Sequence, residues 1–242
     1  MSDFSTLNES SLHNTLKKVY AFQNDGQTEV ELNGHIYDIL TKNKEAIEIQ
    51  NQNLYHLLPK IKDTIDKEIK IKVVYPVIVK KDIELYDKNK NLLRKSKSPV
   101  KGCIYSIFKE IKGIYPVLLN PLFKLEIPFI NITEIRLQED LAVQSKNKKR
   151  RYKRDWNKSN KKLNEIIETK CFSSKKDYLS LLPADLPEEF YSKDLENSLK
   201  AMKMPARIYK NSNLILWVLS RMEIIELTKT EQRRNYYKIK KI

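Results

Sequence analysis

The chain has 242 residues, 40% of them apolar, enough to bury the core of one large domain or of a medium domain joined to a small one. Lys and Arg number 46 against 31 Asp and Glu, and the net charge of +15 exceeds what solubility needs, implying an anionic partner such as a nucleic acid or an acidic membrane. The opening MSDFSTLNESSLHNTLKKVY lacks a basic stretch followed by an apolar run, and no apolar run reaches the roughly 18 residues of a membrane span, so a cytoplasmic protein is expected.

In chain order, Leu12, Leu16 and Tyr20 recur at four-residue steps and predict a short amphipathic helix that ends at the turn formers Asn24-Asp25-Gly26. Asn33-Gly34, flanked by alternating apolar residues, predicts a hairpin of strands at 28–32 and 35–40. Ile47 and Ile49 alternate with Glu48 and Gln50 in a third strand, which completes a meander. Asn53 is placed to cap a helix carrying Leu54, Leu57, Leu58, Ile61 and Ile65, in which Pro59 forces a kink or a later start. The run IKIKVVYPVIV at 69–79 reads as a strand covered on both faces, with Pro76 removing one ladder bond. A charged hairpin around DKNKN, a helix near 102–113 and the strand-like FKLEIPFINITEIRL follow.

Composition changes at 146–162, where ten basic residues meet one acid in seventeen positions. A helical stretch with Leu163, Ile166 and Ile167 comes next, then helices near 177–182, 192–201 and 205–222 and two strands, IIEL and YYKIKKI. Three helices and a β-hairpin is the winged-helix order. The expected organisation is an α/β domain with a mixed sheet and flanking helices at 1–143, a basic connector at 144–176 and a small winged-helix domain at 177–242.

Chemistry points to the meander. Side chains two apart on a strand share a face, so Glu48 and Gln50 point together, and pairing with the second strand brings Asp38 beside them. Asp is depleted in strands, yet Asp38 interrupts the run Ile36-Tyr37-Asp38-Ile39-Leu40, which a merely solubilising sheet edge explains poorly. Two converging carboxylates suit Mg²⁺ or Mn²⁺, because hard cations take oxygen ligands and can activate water against a phosphodiester. Cys103 and Cys171 lie in unrelated contexts and support neither a disulfide framework nor a zinc site, and His13, His35 and His56 share no helical face.

Asp38, nine intervening residues and then Glu48-Ile49-Gln50 resemble the PD-(D/E)XK nuclease superfamily, whose core is a helix, a three-stranded meander, a helix and a strand. YDIL through AIEIQ, then NLYHLLPKI, VVYPVIV and RKSKSPVKG, also resemble a bacterial and archaeal family of that plan with a C-terminal winged helix. The resemblance implies a restriction-endonuclease-like fold, Asp38 and Glu48 as metal ligands, and Gln50 in the place of the lysine that orients the attacking water. Gln carries no positive charge, so Lys44, Lys80 or Lys81 is a candidate for the missing cation. Glu29 is a further candidate acid, matching the acidic residue that many members carry near the first helix.

For DNA, the candidate contacts are Arg150, Arg151, Lys153, Arg154 and Trp156 in the basic stretch, where cations flank aromatic faces. Arg207, Lys210 and Asn211 on the third helix of the winged helix and Arg233 and Arg234 at its wing tip are the others. The leading expectation is a metal-dependent DNA endonuclease, with a homodimer expected for two-strand cleavage. Its rivals are a DNA-binding or regulatory protein retaining the fold without turnover, and an interaction subunit of a larger defence or repair assembly.

Overall fold

The computed structural model describes residues 11–145 and 151–240. Helix α1 (Ser11–Gln23) buries Leu12, Leu16 and Tyr20 against the sheet and stops at Asp25, whose backbone turns left-handed at φ 49°. Strands β1 (Gly26–Leu32) and β2 (His35–Thr41) are joined by Asn33 and Gly34 at φ 54° and 83°, the positive pair that a type I′ hairpin turn requires. Strand β3 (Ala46–Ile49) completes the antiparallel meander.

Asn53 does not cap the next helix. Its backbone is left-handed and its side chain makes no cap bond; Glu110 Oε2 accepts the Leu54 amide at 3.0 Å instead. A 3₁₀ turn at Leu54–Leu57 leads into α2 (Leu58–Asp66), so Pro59 falls in the first turn, where its missing N–H leaves no bond unmade.

Strand β4 (Ile71–Val74) runs parallel to β3 and is buried at every position. Pro76 divides the run expected as one strand: β4 ends at Val74 and β5 (Val77–Tyr86) resumes beyond it. Both halves pair in parallel with β7 (Phe123–Val143), Ile71 opposite Phe123 and Val77 opposite Phe129, so the register carries across the break. Strand β6 (Leu92–Lys97) folds back on β5, and a 3₁₀ turn at Ile104–Ile107 followed by α3 (Phe108–Ile111) occupies the expected helix at 102–113.

The largest departure from expectation lies at 154–172. This stretch, read as connector and helix, is strand β8 (Arg154–Phe172), antiparallel to β7 from Arg154 opposite Val143 to Phe172 opposite Leu125. Leu163 and Ile166 are three residues apart, which imitates a helical period. The structure explains the spacing by a β-bulge: Ile130 faces Ile166 but Ile132 faces Leu163, so β8 carries one extra residue and both side chains reach the face covered by α1.

The main sheet therefore has the order β1-β2-β3-β4-β7-β5-β6, with β8 on β7. On one face α1 seals a small core with Ile39, Ile47, Ile49, Val74, Ile130 and Ile132. On the other a larger core joins Tyr37, Ala46, Val73 and Leu125 to Ile61 of α2 and Phe108 of α3.

That larger core continues without interruption into the C-terminal segment: α4 (Lys175–Leu179), α5 (Ser192–Ala201), α6 (Ala206–Tyr209), α7 (Ser212–Arg221) and the hairpin β9 (Ile225–Glu231) and β10 (Arg234–Ile239). The helix expected at 205–222 is split at Lys210–Asn211 into α6 and α7. Trp217 of α7 is 40% exposed and packs its ring edge-on against Tyr115, 5.5 Å between centroids. Among the described residues, no helix is long and apolar enough to cross a membrane.

Candidate active site

Strands β2 and β3 pair only at Ile39–Ile47 and Leu40–Ala46. Beyond Ile39 their ladder stops, and two carboxylates take the place of the missing backbone bonds. Asp38 Oδ2 accepts the Ile49 amide at 2.8 Å, and Glu48 Oε1 lies 3.3 Å from the Asp38 amide. Each acid is thus held by the other's strand, which fixes both side chains at the point where the strands part.

Basic side chains converge on the pair from both faces. From α2, Lys60 Nζ donates to Glu48 Oε1 at 2.5 Å and to the Ile36 carbonyl at 2.6 Å, and lies 4.6 Å from the centroid of the Tyr37 ring. Tyr37 is anchored by a 2.7 Å bond between its hydroxyl and Thr64 Oγ1, one turn further along α2. From α1, His13 Nε2 donates to the Ile49 carbonyl at 2.8 Å and lies 3.3 Å from Asp38 Oδ2. Lys17 Nζ is 3.6 Å from Asp38 Oδ1 and also contacts Glu29 Oε1. Glu29 lies across from Asp38 in the β1–β2 hairpin, between the pairs Thr28–Ile39 and Val30–Tyr37, with a left-handed backbone at φ 55°.

The two acids ionise differently. Burial opposes the charge on Asp38, but the hydrogen bonds from His13 and the Ile49 amide, with the Lys17 charge, outweigh it and hold the carboxyl below its usual value. Burial pushes Glu48 up, the Lys60 ammonium offsets only part of that, and the Asp38 charge adds to it. A pair of neighbouring carboxylates with divergent proton affinities is an arrangement that acid–base chemistry uses.

Of the residues singled out in the sequence, Asp38, Glu48 and Glu29 come together. Gln50 does not join them: its side-chain amide donates to the Gln52 carbonyl at 2.8 Å, while its backbone amide continues the ladder to Val74. Lys44, Lys80 and Lys81 do not supply the missing cation either. Lys44 occupies the exposed turn before β3, Lys80 faces Asp82 at 3.6 Å and Lys81 faces Glu134 at 3.4 Å. The basic side chains at the site are Lys60, Lys17 and His13, which sequence reasoning does not single out. One signal points to two of them: His13 and Lys17 are four residues apart beside the apolar stripe of α1, and Lys17 is only 5% exposed.

Among the described residues, no group of three or more His, Cys, Asp or Glu is placed to hold a metal ion. Two carboxylates nevertheless match Mg²⁺, which commonly takes one or two carboxylates and keeps its remaining positions for water.

The expected DNA contacts fall in three separate places. Arg151, Lys153 and Arg154 are exposed at the start of β8 and Trp156 lies under the Arg136 guanidinium at 3.7 Å, whereas Arg150 lies outside the described residues. Trp156 pairs with Gln138, thirteen residues along β7 from Leu125, which is level with Glu48 through Val73. Arg207 donates to the Lys101 carbonyl, Asn211 donates to the Arg207 carbonyl at 2.6 Å, and Lys210 is exposed. Arg233 forms the turn of the terminal hairpin at φ 62°, and Arg234 lies over the Tyr191 ring at 5.5 Å.

Residues 10–173 match the family model described as Domain of unknown function (DUF8091). The match runs from α1 to the end of β8 and so takes in the carboxylate site and the basic strand alike. An uncharacterized protein of Treponema pallidum (strain Nichols) is similar to the chain, 29% identical over 190 residues that cover 78% of this chain and 72% of the relative. No solved structure matches. With the model spanning the whole sheet and both helices that frame the acids, this chain belongs to the DUF8091 family.

Proposed function

We propose that the chain is a metal-dependent DNA endonuclease acting at Asp38 and Glu48. The observation that carries the reading is the meeting of these two buried carboxylates where β2 and β3 part, with Lys60 bonded to Glu48. The element order of helix, antiparallel meander, helix and parallel strand supports a restriction-endonuclease-like core. The helices and hairpin after residue 175 support a winged helix, one docked on α3 rather than tethered by a linker.

In this reading Asp38 and Glu48 hold Mg²⁺ or Mn²⁺ together with water. The bound ion supplies activation of a water and neutralisation of charge on the phosphate. Lys60 takes the role that the superfamily assigns to the lysine two positions after the second acid, because its ammonium reaches the same carboxylate from α2. Lys17 and His13 keep Asp38 ionised and oriented.

Plasmid nicking in Mg²⁺ or Mn²⁺ that disappears in Asp38→Asn is the expected result; wild-type protein that leaves plasmid intact in both metals overturns the reading. A second reading, a DNA-binding protein without turnover, is favoured by one observation: the Gln50 amide is bonded to its own loop and not to the acids. It requires duplex binding with no nicking in either metal.

A further inference from the structure

A second cluster of charge lies on the α1 face of the sheet, around Glu134 of β7. The Glu134 side chain is 1% exposed. Its Oε1 accepts from Arg136 twice, at 2.8 Å from Nε and 2.6 Å from the guanidinium terminus, while Oε2 is 3.4 Å from Lys81 of β5 and 3.3 Å from Lys158 of β8. Lys161 of β8 is the direct cross-strand neighbour of Glu134. Four cations therefore surround one carboxylate. Trp156 backs the Arg136 guanidinium at 3.7 Å, which holds that plane in place.

The first turn of α1 links this cluster to the carboxylate site. Ser11 Oγ donates to the Lys161 carbonyl at 2.7 Å, whereas His13, two residues on and on the opposite flank, reaches Ile49 and Asp38. The cationic cluster and the acids thus flank the same helix end.

We infer that Lys81, Arg136, Lys158 and Lys161 form a cradle for the phosphates of a nucleic-acid duplex, organised by Glu134 and placed beside the Asp38–Glu48 site. The inference rests on the nuclease reading for its choice of polyanion. Glu134 satisfies Arg136 and orients Lys81 and Lys158, but one carboxylate leaves a surplus of three positive charges across β5, β7 and β8. Among the described residues Lys161 makes no ion pair, and burial together with repulsion from Lys158 and Lys81 holds its ammonium below the usual lysine range. The negative charge of a phosphate beside it offsets both effects. The cradle meets backbone charge and reads no base, so binding here is indifferent to sequence.

The test is fluorescence anisotropy of a labelled DNA duplex in chelator, where no cleavage occurs, across a salt series. Lys158→Gln/Lys161→Gln is compared with Lys109→Gln/Lys112→Gln, which removes the same charge from the exposed side of α3. The cradle variant is expected to bind about tenfold or more weakly and to flatten the log–log salt slope by about two, since each phosphate that is no longer neutralised removes about 0.9 from it. Lys158→Gln alone, at a half-exposed site that tolerates substitution, is expected to flatten it by about one. Equal weakening in the cradle and α3 variants overturns the cradle, as does a wild type that binds no duplex. The nuclease reading is decided separately, by nicking in Mg²⁺ or Mn²⁺ and its disappearance in Asp38→Asn.

Discussion

Glu48 and Glu134 are both buried glutamates with lysines at hand, yet their proton affinities move in opposite directions. Burial resists ionisation of each. Glu134 overcomes it with a two-pronged arginine contact and two ammonium groups, so its carboxyl is held below the usual range. Glu48 has one lysine and a long amide contact, with the Asp38 charge working against it, and is held above that range. Burial alone therefore does not decide how a carboxylate behaves; the number and sign of its charged neighbours do. Glu134 is a strut that strengthens its region, whereas Glu48 is kept under electrostatic strain, as functional sites commonly are.

The comparison breaks most sharply in catalysis. Asp38→Asn is expected to reduce plasmid nicking by roughly a thousandfold, about 4 kcal/mol of barrier, with the fold intact by circular dichroism. Glu134→Gln is expected to leave Arg136 and Lys81 without their buried partner and to lower unfolding stability by about 3 kcal/mol in urea titration. Lys60→Gln is expected to slow nicking by roughly a hundredfold, with Lys60→Arg recovering part of the rate, because the arginine returns the charge but not the geometry.

Glu48→Gln is expected to abolish nicking while raising stability at neutral pH by up to about 1 kcal/mol, opposite in sign to Glu134→Gln. The pH dependence follows from the two directions. The folded-state affinity of Glu134 is lowered, so its contribution is present above the unfolded carboxylate value and lost as pH falls through the folded one. That of Glu48 is raised, so its contribution is present below the unfolded value and lost as pH rises through the folded one. Acid denaturation monitored by circular dichroism should consequently be shallower in Glu134→Gln and steeper in Glu48→Gln. The smallest effect is expected for Gln50→Ala, within about threefold of wild type in nicking, because its amide is engaged with Gln52. A large drop there would return the central role to Gln50 and remove it from Lys60.

The hairpin at Asn33-Gly34, the meander, the amphipathic α1 and the pairing of Asp38 with Glu48 were legible in the sequence, since each follows from the geometry of a few consecutive residues. The basic stretch illustrates the limit. Its charge was plain, but its conformation was not, because the bulge that separates Leu163 from Ile166 copies a helical spacing and only the ladder with β7 reveals the strand.

Local chemistry in the chain determined which residues are acids on a buried strand, where turns form and where positive charge gathers. Tertiary structure alone decided that Lys60 and Lys17 reach across from helices to Glu48 and Asp38, that Gln50 turns away, and that Lys81, Arg136, Lys158 and Lys161 meet at Glu134. The division has a physical cause: turn and strand preferences act over a few neighbouring residues, whereas charge compensation depends on distances through space between segments far apart along the chain.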